Sequence, residues 1–365
     1  MRIDALEVTN FRNIKTALIR PGTGVNIFFG DNGSGKSNLL EAIFALCLGR
    51  SQRGGRDLMM IGEGADEVFH LEGVGHVEGR EVRLTCAYQR GGRKKITVDG
   101  NPARTSRLFQ IFSLISMAPE DVALFTGSPS VRRQFLDLHL SQASPSYLAD
   151  LSDYSKALAQ KNSFLKVTPD DDCPFDPLLI DCGSRIIAAR QRFITFLKTQ
   201  ASAFYRDISD GDRPEGRMAL DFQYRPNVST PEAGDISRSF QAKLNAYRHK
   251  EALLQTALVG PHRDDIEFTI GGFPARGYGS QGELRSGAVA IMMAAAKFLE
   301  DRRREKPILL LDEIFAELDD HRRDNLARLF GSFDQIFLTT AVAPPQALME
   351  HAVLFHIRQG VVTRE

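Results

Sequence analysis

Two short stretches of this chain have the residue types and spacing for chemistry on a phosphate chain. Gly30-Asp31-Asn32-Gly33-Ser34-Gly35-Lys36-Ser37 satisfies the pattern G-x-x-x-x-G-K-[ST] in full. Phosphate oxygens need several backbone N–H donors close together, and glycines let a chain curl tightly enough to supply them. A helix starting at the end of the loop adds the positive end of its dipole. Lys36 is then placed to reach the β- and γ-phosphates of a nucleoside triphosphate, and the Ser37 hydroxyl to ligate Mg²⁺. The second stretch is Ile308-Leu309-Leu310-Leu311-Asp312-Glu313, an apolar run closed by two acids. Adjacent carboxylates at a buried strand end are costly without a compensating cation. Asp312 is expected to join Ser37 in holding Mg²⁺. Glu313 is expected to orient or deprotonate an attacking water. Glu313, Lys36 and Asp312 are therefore the candidate catalytic groups.

Weaker signals surround these. Gly279-Ser280-Gln281-Gly282-Glu283 precedes a run with Leu284, Val289, Ile291, Met292 and Met293. It is a second small-residue turn at a helix N-terminus, hence either a second anion site or an ordinary N-cap by Ser280. Arg90, Arg93, Lys94 and Lys95 cluster at a turn, where they either track phosphates or form a solvated loop. Arg302-Arg303-Arg304 ends a helix, where cations favour the dipole. Arg132 and Arg133 begin one, where cations are disfavoured, which points to an anion contact with phosphate or with carboxylates across a lobe interface.

Particular elements must hold these residues. Ile3, Leu6 and Val8 open a strand, and Val25–Phe29 is a buried strand feeding the glycine loop. Leu39, Leu40, Ile43, Phe44 and Leu48 have helical spacing. Arg83–Tyr88 and Ile96–Val98 flank Gly91-Gly92 as a β-hairpin. Between residues 121 and 255 the character changes. Apolar positions from Tyr147 to Leu165, and again from Ile187 to Ile208, recur at three and four, as in two long amphipathic helices. Thr168–Pro177 reads as the loop between them. Met218, Leu220, Phe222 and Tyr224 alternate as a strand, Arg225–Asp235 is a loop, and residues 236–255 are helical. Ile308–Leu311 and Ile336–Leu338 then read as buried parallel strands. The expected organisation is an α/β nucleotide-binding domain from residues 1–120 and 256–365, split by a mainly helical lobe at 121–255.

Composition narrows the function classes. The chain has 365 residues, enough for a full core, with 46 Lys and Arg against 46 Asp and Glu. With no net charge, any nucleic-acid surface must be a local patch. The scattered Cys47, Cys86, Cys173 and Cys182 suggest neither zinc nor a disulfide framework. No long apolar run indicates a signal peptide or a membrane span, so a cytoplasmic protein without a membrane partner is expected.

The motif order, glycine loop, Ser280-x-Gly282-Glu283, Asp312-Glu313 and Leu318-Asp319, resembles the ATPase heads of the ABC and SMC class. Pro119-Glu120-Asp121, Gly127-Ser128-Pro129, Arg132-Arg133 and Phe135-Leu136-Asp137 resemble the RecF family in particular. So do Gly260–Asp265, Phe315-x-Glu317-Leu318-Asp319-Asp320-x-Arg322, and the opening Asn10-Phe11-Arg12-Asn13. The resemblance runs from about residue 3 to about residue 360. It implies an ABC-type ATPase head, a mixed sheet bearing the phosphate loop, with a mainly helical second lobe inserted in the sequence. It implies ATP and Mg²⁺ as cofactors, held by Gly30 through Ser37 with Arg12, Ser280 and Gly282. It implies ATP bridging a homodimer, with Ser280 of one copy over the γ-phosphate held by the other. Partners implied are DNA, double-stranded and at single/double-strand junctions, and recombination mediators of the RecO/RecR type. His262 and Arg263 are expected to line the nucleotide cleft or the dimer face. Two departures stand out: Glu283 where glutamine is common, and Thr339-Thr340 where the class has a switch histidine. The latter implies a weak, DNA-stimulated, switch-like ATPase. A transporter ATPase subunit and a nucleotide-stabilised scaffold are the competing readings.

Overall fold

The computed structural model describes residues 1–62, 67–168, 171–209, 219–230, 234–316, 318–342 and 344–365. The chain divides into two compact units. One is formed by Met1–Asp121, Asp207–Asp212 and Ala295–Glu365, the other by Val122–Arg206 and Arg213–Ala294.

The first unit opens with strands β1 (Arg2–Phe11), β2 (Ile14–Ile19) and β3 (Gly24–Phe29), then helix α1 (Lys36–Leu48). Strands β4 (Val68–Val77), β5 (Arg80–Gln89), β6 (Lys95–Val98) and β7 (Asn101–Pro102) follow, with a single turn α2 (Thr105–Leu108) and strand β8 (Leu114–Met117). The expected strand, helix and hairpin all form. Leu6 and Val8 are buried on β1, and a register shift between Ile3 and Ala5 lets Ile3 be buried as well despite its odd parity.

The second unit begins with α3 (Ala123–Thr126), α4 (Pro129–Ala143), α5 (Pro145–Phe164) and α6 (Asp176–Ser209). Strand β9 (Leu220–Arg225), α7 (Ile236–Leu254), β10 (Asp265–Ile270), β11 (Phe273–Pro274), a distorted turn α8 (Ala275–Tyr278) and the start of α9 (Gln281–Arg303) complete it. Helix α6 runs 34 residues and starts at Asp176, so Pro177 stands in its first turn rather than in the preceding loop. Met218, read into the strand, lies outside the described residues, as do residues 169–170 and 231–233 of the two loops and Glu317. The unit extends to Ala294, past the expected limit at 255, for a structural reason: β10 pairs antiparallel with β9 along its whole length, Asp265 opposite Arg225 through Ile270 opposite Leu220.

Back in the first unit are β12 (Ile308–Asp312), α10 (Asp320–Phe330), β13 (Gln335–Thr340), α11 (Gln346–Met349), β14 (Val353–Arg358) and β15 (Val361–Arg364). One sheet, β2-β1-β4-β5-β6-β7, is antiparallel. The other has the order β15-β14-β3-β13-β12-β8, with β14, β3, β13, β12 and β8 parallel and β15 antiparallel at the edge. Strands covered on both faces read as continuous apolar runs. Ile308 through Leu311 are each 0% exposed. The glycine loop leaves the C-terminal end of β3, and Asp312 ends β12, with β13 between them. The crevice outside the carboxyl ends of parallel strands is where ligands of such sheets bind.

Candidate functional site

The glycine loop is shaped by contacts that exclude side chains. At Gly30, φ is +150°, and a Cβ would meet the Ile357 carbonyl oxygen at 2.1 Å. At Gly35, φ is +114°, and a Cβ would stand 2.8 Å from Asn13 Oδ1. Helix α1 then starts at Lys36 after Gly35 as N-cap, with no side chain capping its N-terminus and no acid in its first turn. Its first amides and dipole are thus left to an anion.

Lys36 is 5% exposed, and its ammonium is satisfied inside the loop. Nζ donates to Gly30 O at 2.9 Å and Asp31 O at 3.3 Å, and lies 3.2 Å from Glu313 Oε1. Ser37 Oγ donates to Asp312 Oδ1 at 2.8 Å. Loop and strand end therefore meet, as the sequence required. Glu313 has φ +49°. Its carboxylate accepts from the Ala341 amide at 2.9 Å, just beyond β13. A cleft of about 590 Å³ opens among Asn32, Gly33, Gly35, Lys36, Ser37 and Asn38 on one side and Glu313 and the Ala341-Val342 turn on another, with Arg53 at its wall. That volume suits a mononucleotide-sized ligand.

The oxygen donors of Ser37 and Asp312 fit a hard divalent cation. Among the described residues no group of three His, Cys, Asp or Glu forms a metal cage. Such a pair suits Mg²⁺, which is bound by one or two protein oxygens with substrate phosphates and water completing its shell.

Sequence reading missed two residues of the site, Asn13 and Arg53, and the bonds made by a third, Thr339. Thr339 Oγ1 donates to Asp312 Oδ1 at 2.5 Å and accepts from the Glu313 amide at 3.1 Å, so one hydroxyl orients both acids. Its signal was the register, since Asp312 is the direct partner of Thr339 across β12 and β13. Asn13 donates to Gly33 O at 3.2 Å and accepts from Asn38 Nδ2 at 2.8 Å. Arg53 donates to Asn38 Oδ1 at 3.1 Å. Asn13 belongs to the Asn10–Asn13 motif, next to Arg12. The Arg12 guanidinium grips buried Glu41 through Nη2 (2.8 Å) and Nε (3.1 Å), and donates to Met59 O at 2.6 Å. Glu41, 1% exposed, also accepts from Ser51 Oγ at 2.5 Å and lies 3.6 Å from Arg53. A sequence motif gives no sign of this inward partner.

Ser280 and Gly282 belong to the second unit. Ser280 Oγ donates to Glu283 Oε2 at 2.8 Å, and the Ser280 amide donates to the same oxygen at 2.9 Å. The Glu283 amide donates back to Ser280 Oγ at 3.3 Å. This is a capping box, and it accounts for a glutamate at position 283. Asp319 caps α10 by accepting from the Arg322 amide at 2.9 Å.

Other candidates have partners within their own unit. His262 is half-buried in the second unit, Nδ1 2.6 Å from Tyr154 Oη and Nε2 3.2 Å from Ala257 O. Burial, with the charges of Arg263, Arg133 and Lys161 nearby, pushes its pKa down to about 4. Arg263 donates to Ala257 O at 3.0 Å. Arg132 does meet a carboxylate, Asp265, at 2.5 and 3.1 Å, but within the second unit. Arg133 donates to Asp264 O at 2.9 Å. Lys94 turns inward to Gly49 O and Asp57.

Comparison with known proteins agrees with this geometry. The family model described as RecF/RecN/SMC N terminal domain matches residues 2–362. The "DNA replication and repair protein RecF" of Symbiobacterium thermophilum is 34% identical over 370 residues, covering 99% of this chain and 98% of that protein. A solved structure of the recombination mediator protein RecF with ATP, in the RecFOR pathway, superposes with a TM-score of 0.89 at 30% identity, covering 100% of this chain and 97% of that one. An SMC head bound to the C-winged helix domain of ScpA shares the fold at 18% identity and a TM-score of 0.56, covering 100% of this chain and 97% of that one. The chain has the ABC/SMC-type ATPase head fold and belongs to the RecF family.

Proposed function

We propose that this chain is an ATP-dependent DNA-binding protein of recombinational DNA repair and replication, in which ATP bridges two copies until slow hydrolysis releases them. One observation carries the reading: Lys36, Ser37, Asp312 and Glu313 converge on one cleft from the loop after β3 and the end of β12. ATP enters with its β- and γ-phosphates against the loop amides from Gly30 to Ser37, where Lys36 exchanges its contact with Glu313 for phosphate oxygens. Mg²⁺ held by Ser37 and Asp312 together with the phosphates would neutralise developing charge. Glu313, fixed by the Ala341 amide, accepts a proton from water directed at the γ-phosphorus. Turnover is slow because Thr339 and Thr340 stand where the class has a histidine, and the Thr339 hydroxyl is committed to Asp312.

Ser280 and Gly282 of one copy cap the γ-phosphate held by the other, so hydrolysis removes the link between copies. Relatives named for DNA replication and repair and for recombination mediation support DNA and recombination mediators as partners. DNA, double-stranded and at junctions bordering single-strand gaps, stimulates turnover, and recombination mediators of the RecO/RecR type are the protein partners. The protein acts in the cytoplasm. Among the described residues no helix is long and apolar enough to cross a membrane. Relatives named for DNA replication and repair favour this reading over a transporter subunit.

The test is Glu313→Gln. ATP affinity is expected to stay within about threefold while turnover falls by roughly 100-fold or more, the size of a lost general base. An unaltered turnover rate would contradict the role of Glu313 and favour the scaffold reading.

A further inference from the structure

We propose that the first unit carries a paired phosphate grip, made of two exposed Arg-Gly-Gly-Arg tips, which docks the sugar-phosphate backbone of DNA beside the nucleotide cleft. The inference rests on the DNA-binding part of the reading above and names the surface responsible.

Local charge comes first. The chain as a whole is neutral, yet residues 49–62 and 89–108 together hold nine cations against two acids, Asp57 and Asp99. Within them the same four residues occur twice: Arg53-Gly54-Gly55-Arg56 after α1, and Arg90-Gly91-Gly92-Arg93 at the β5–β6 turn. All eight positions are exposed. Gly54, Gly55 and Gly91 have φ of +73°, +92° and +73°, so each tip turns sharply between its two arginines.

The fold draws the tips together. Lys94, next to the second tip, donates to Gly49 O at 2.6 Å and pairs with Asp57 at 2.7 Å, which fastens the hairpin turn to the loop after α1. The same pair neutralises one of the two acids. The chain after β6 returns to this place: the Ala103 amide donates to Ile96 O at 2.9 Å, and a Cβ on Gly49 would stand 2.8 Å from Thr105 Cγ2. Exposed Arg104 thereby adds to the same surface. The carboxylate paired with Arg90, Glu67, is 3.7 Å away and itself exposed. A concentration of like charge on a neutral protein raises the local density of anions.

The chemistry selects a phosphate backbone over a lipid surface. Arginine forks bind phosphate oxygens bidentately. Glycine between them lets a backbone approach closely. Interfacial binding would need several apolar or aromatic side chains among the cations; the eight tip residues are only arginine and glycine, with exposed Met59 beside Gly55 as their apolar neighbour. Exposed arginine-glycine segments track single- and double-stranded backbones without reading sequence. Arg53 also lines the nucleotide cleft and bonds Asn38 in the first turn of α1, so one residue is common to both sites.

The test uses the full chain with ATP and Mg²⁺, and fluorescence anisotropy of a labelled gapped duplex across about 50–200 mM salt. Arg56→Gln and Arg93→Gln remove one arginine from each tip and leave the cleft untouched. Each is expected to lower the slope of log affinity against log salt by about 1, and the double variant by about 2. The double variant should lose roughly 10-fold or more in affinity at about 0.1 M salt, with ATP affinity and thermal unfolding unchanged. Arg225→Gln, on β9 in the second unit, should match wild type. A double variant with wild-type slope and affinity would overturn this surface and leave the broader reading standing. A wild type with no affinity for the gapped duplex would overturn both. Binding to phosphatidylserine vesicles without binding to DNA would overturn the grip in favour of a lipid surface.

Discussion

Thr339 carries more of the site than its residue type suggests. Its hydroxyl donates to the Asp312 carboxylate and accepts from the Glu313 amide, so one β-branched side chain, stiff at χ1, ties down both acidic positions. Replacing it by valine keeps the shape and removes both bonds. The Glu313 amide keeps the Thr339 carbonyl at 3.2 Å, and Asp312 keeps Ser37. Thr339→Val should therefore fold, at a cost of about 1 kcal/mol. It should bind ATP nearly as wild type and turn it over roughly 10-fold more slowly, from misorientation rather than loss of a group. Steady-state kinetics with a separate ATP titration checks this, and an equal loss of affinity and turnover would assign Thr339 to binding instead. The glycine loop and the two acids were legible in the sequence because their spacing is dictated by the phosphate chain itself. Thr339 was not, because its role depends on which residue of β13 stands opposite Asp312. The inward partner of Arg12 was hidden for a related reason: Glu41 lies 29 residues away on the far side of the glycine loop.

At the scale of elements, helix and strand periods were readable wherever burial is one-sided, as in β9, or complete, as in β12. Long-range polar ties were not. The motif Gly260–Asp265 is the clearest case. Arg190, 2% exposed, donates to Pro261 O at 2.7 Å and to Asp264 and Asp137 at 2.8 Å each. Asp264 also accepts from the Tyr224 hydroxyl and the Asn227 amide. These bonds join α4, α6, β9 and the start of β10, segments far apart in sequence. Nothing in local spacing announces that an arginine inside an amphipathic helix faces the core rather than solvent. His262 is hydrogen-bonded within the same unit, and its depressed pKa has a consequence for stability. The unfolded chain binds a proton at the ordinary histidine value near 6.5, whereas the folded chain resists it down to about 4. Unfolded molecules thus bind more protons between those values, and stability falls as pH drops from about 6.5 toward 4. Urea unfolding at pH 7 and pH 5 should show the loss, and His262→Asn should reduce its pH dependence. An identical pH dependence in the variant would assign the acid sensitivity to other groups.

For the whole molecule, a balanced overall charge hides a strongly uneven distribution, with the cations of the Arg-Gly-Gly-Arg tips gathered near the cleft that takes the nucleotide. Sequence spacing singled out the basic turn at Arg90–Lys95; the fold adds the Arg53–Arg56 segment, through the Lys94 bonds to Gly49 and Asp57. The central claim concerns two copies: ATP gripped at Lys36 of one is capped at Ser280 of the other. Ser280 now closes a capping box with Glu283, which leaves the amides at the start of α9 beside it as the groups for a partner's γ-phosphate. Mass in solution, by light scattering with and without ATP and Mg²⁺, tests the claim most directly, for wild type, Lys36→Met and Ser280→Arg. The account predicts a monomer that becomes a dimer with ATP in the wild type alone, both variants remaining monomeric. A mass independent of nucleotide, or a Ser280→Arg variant that dimerises as wild type does, would contradict it.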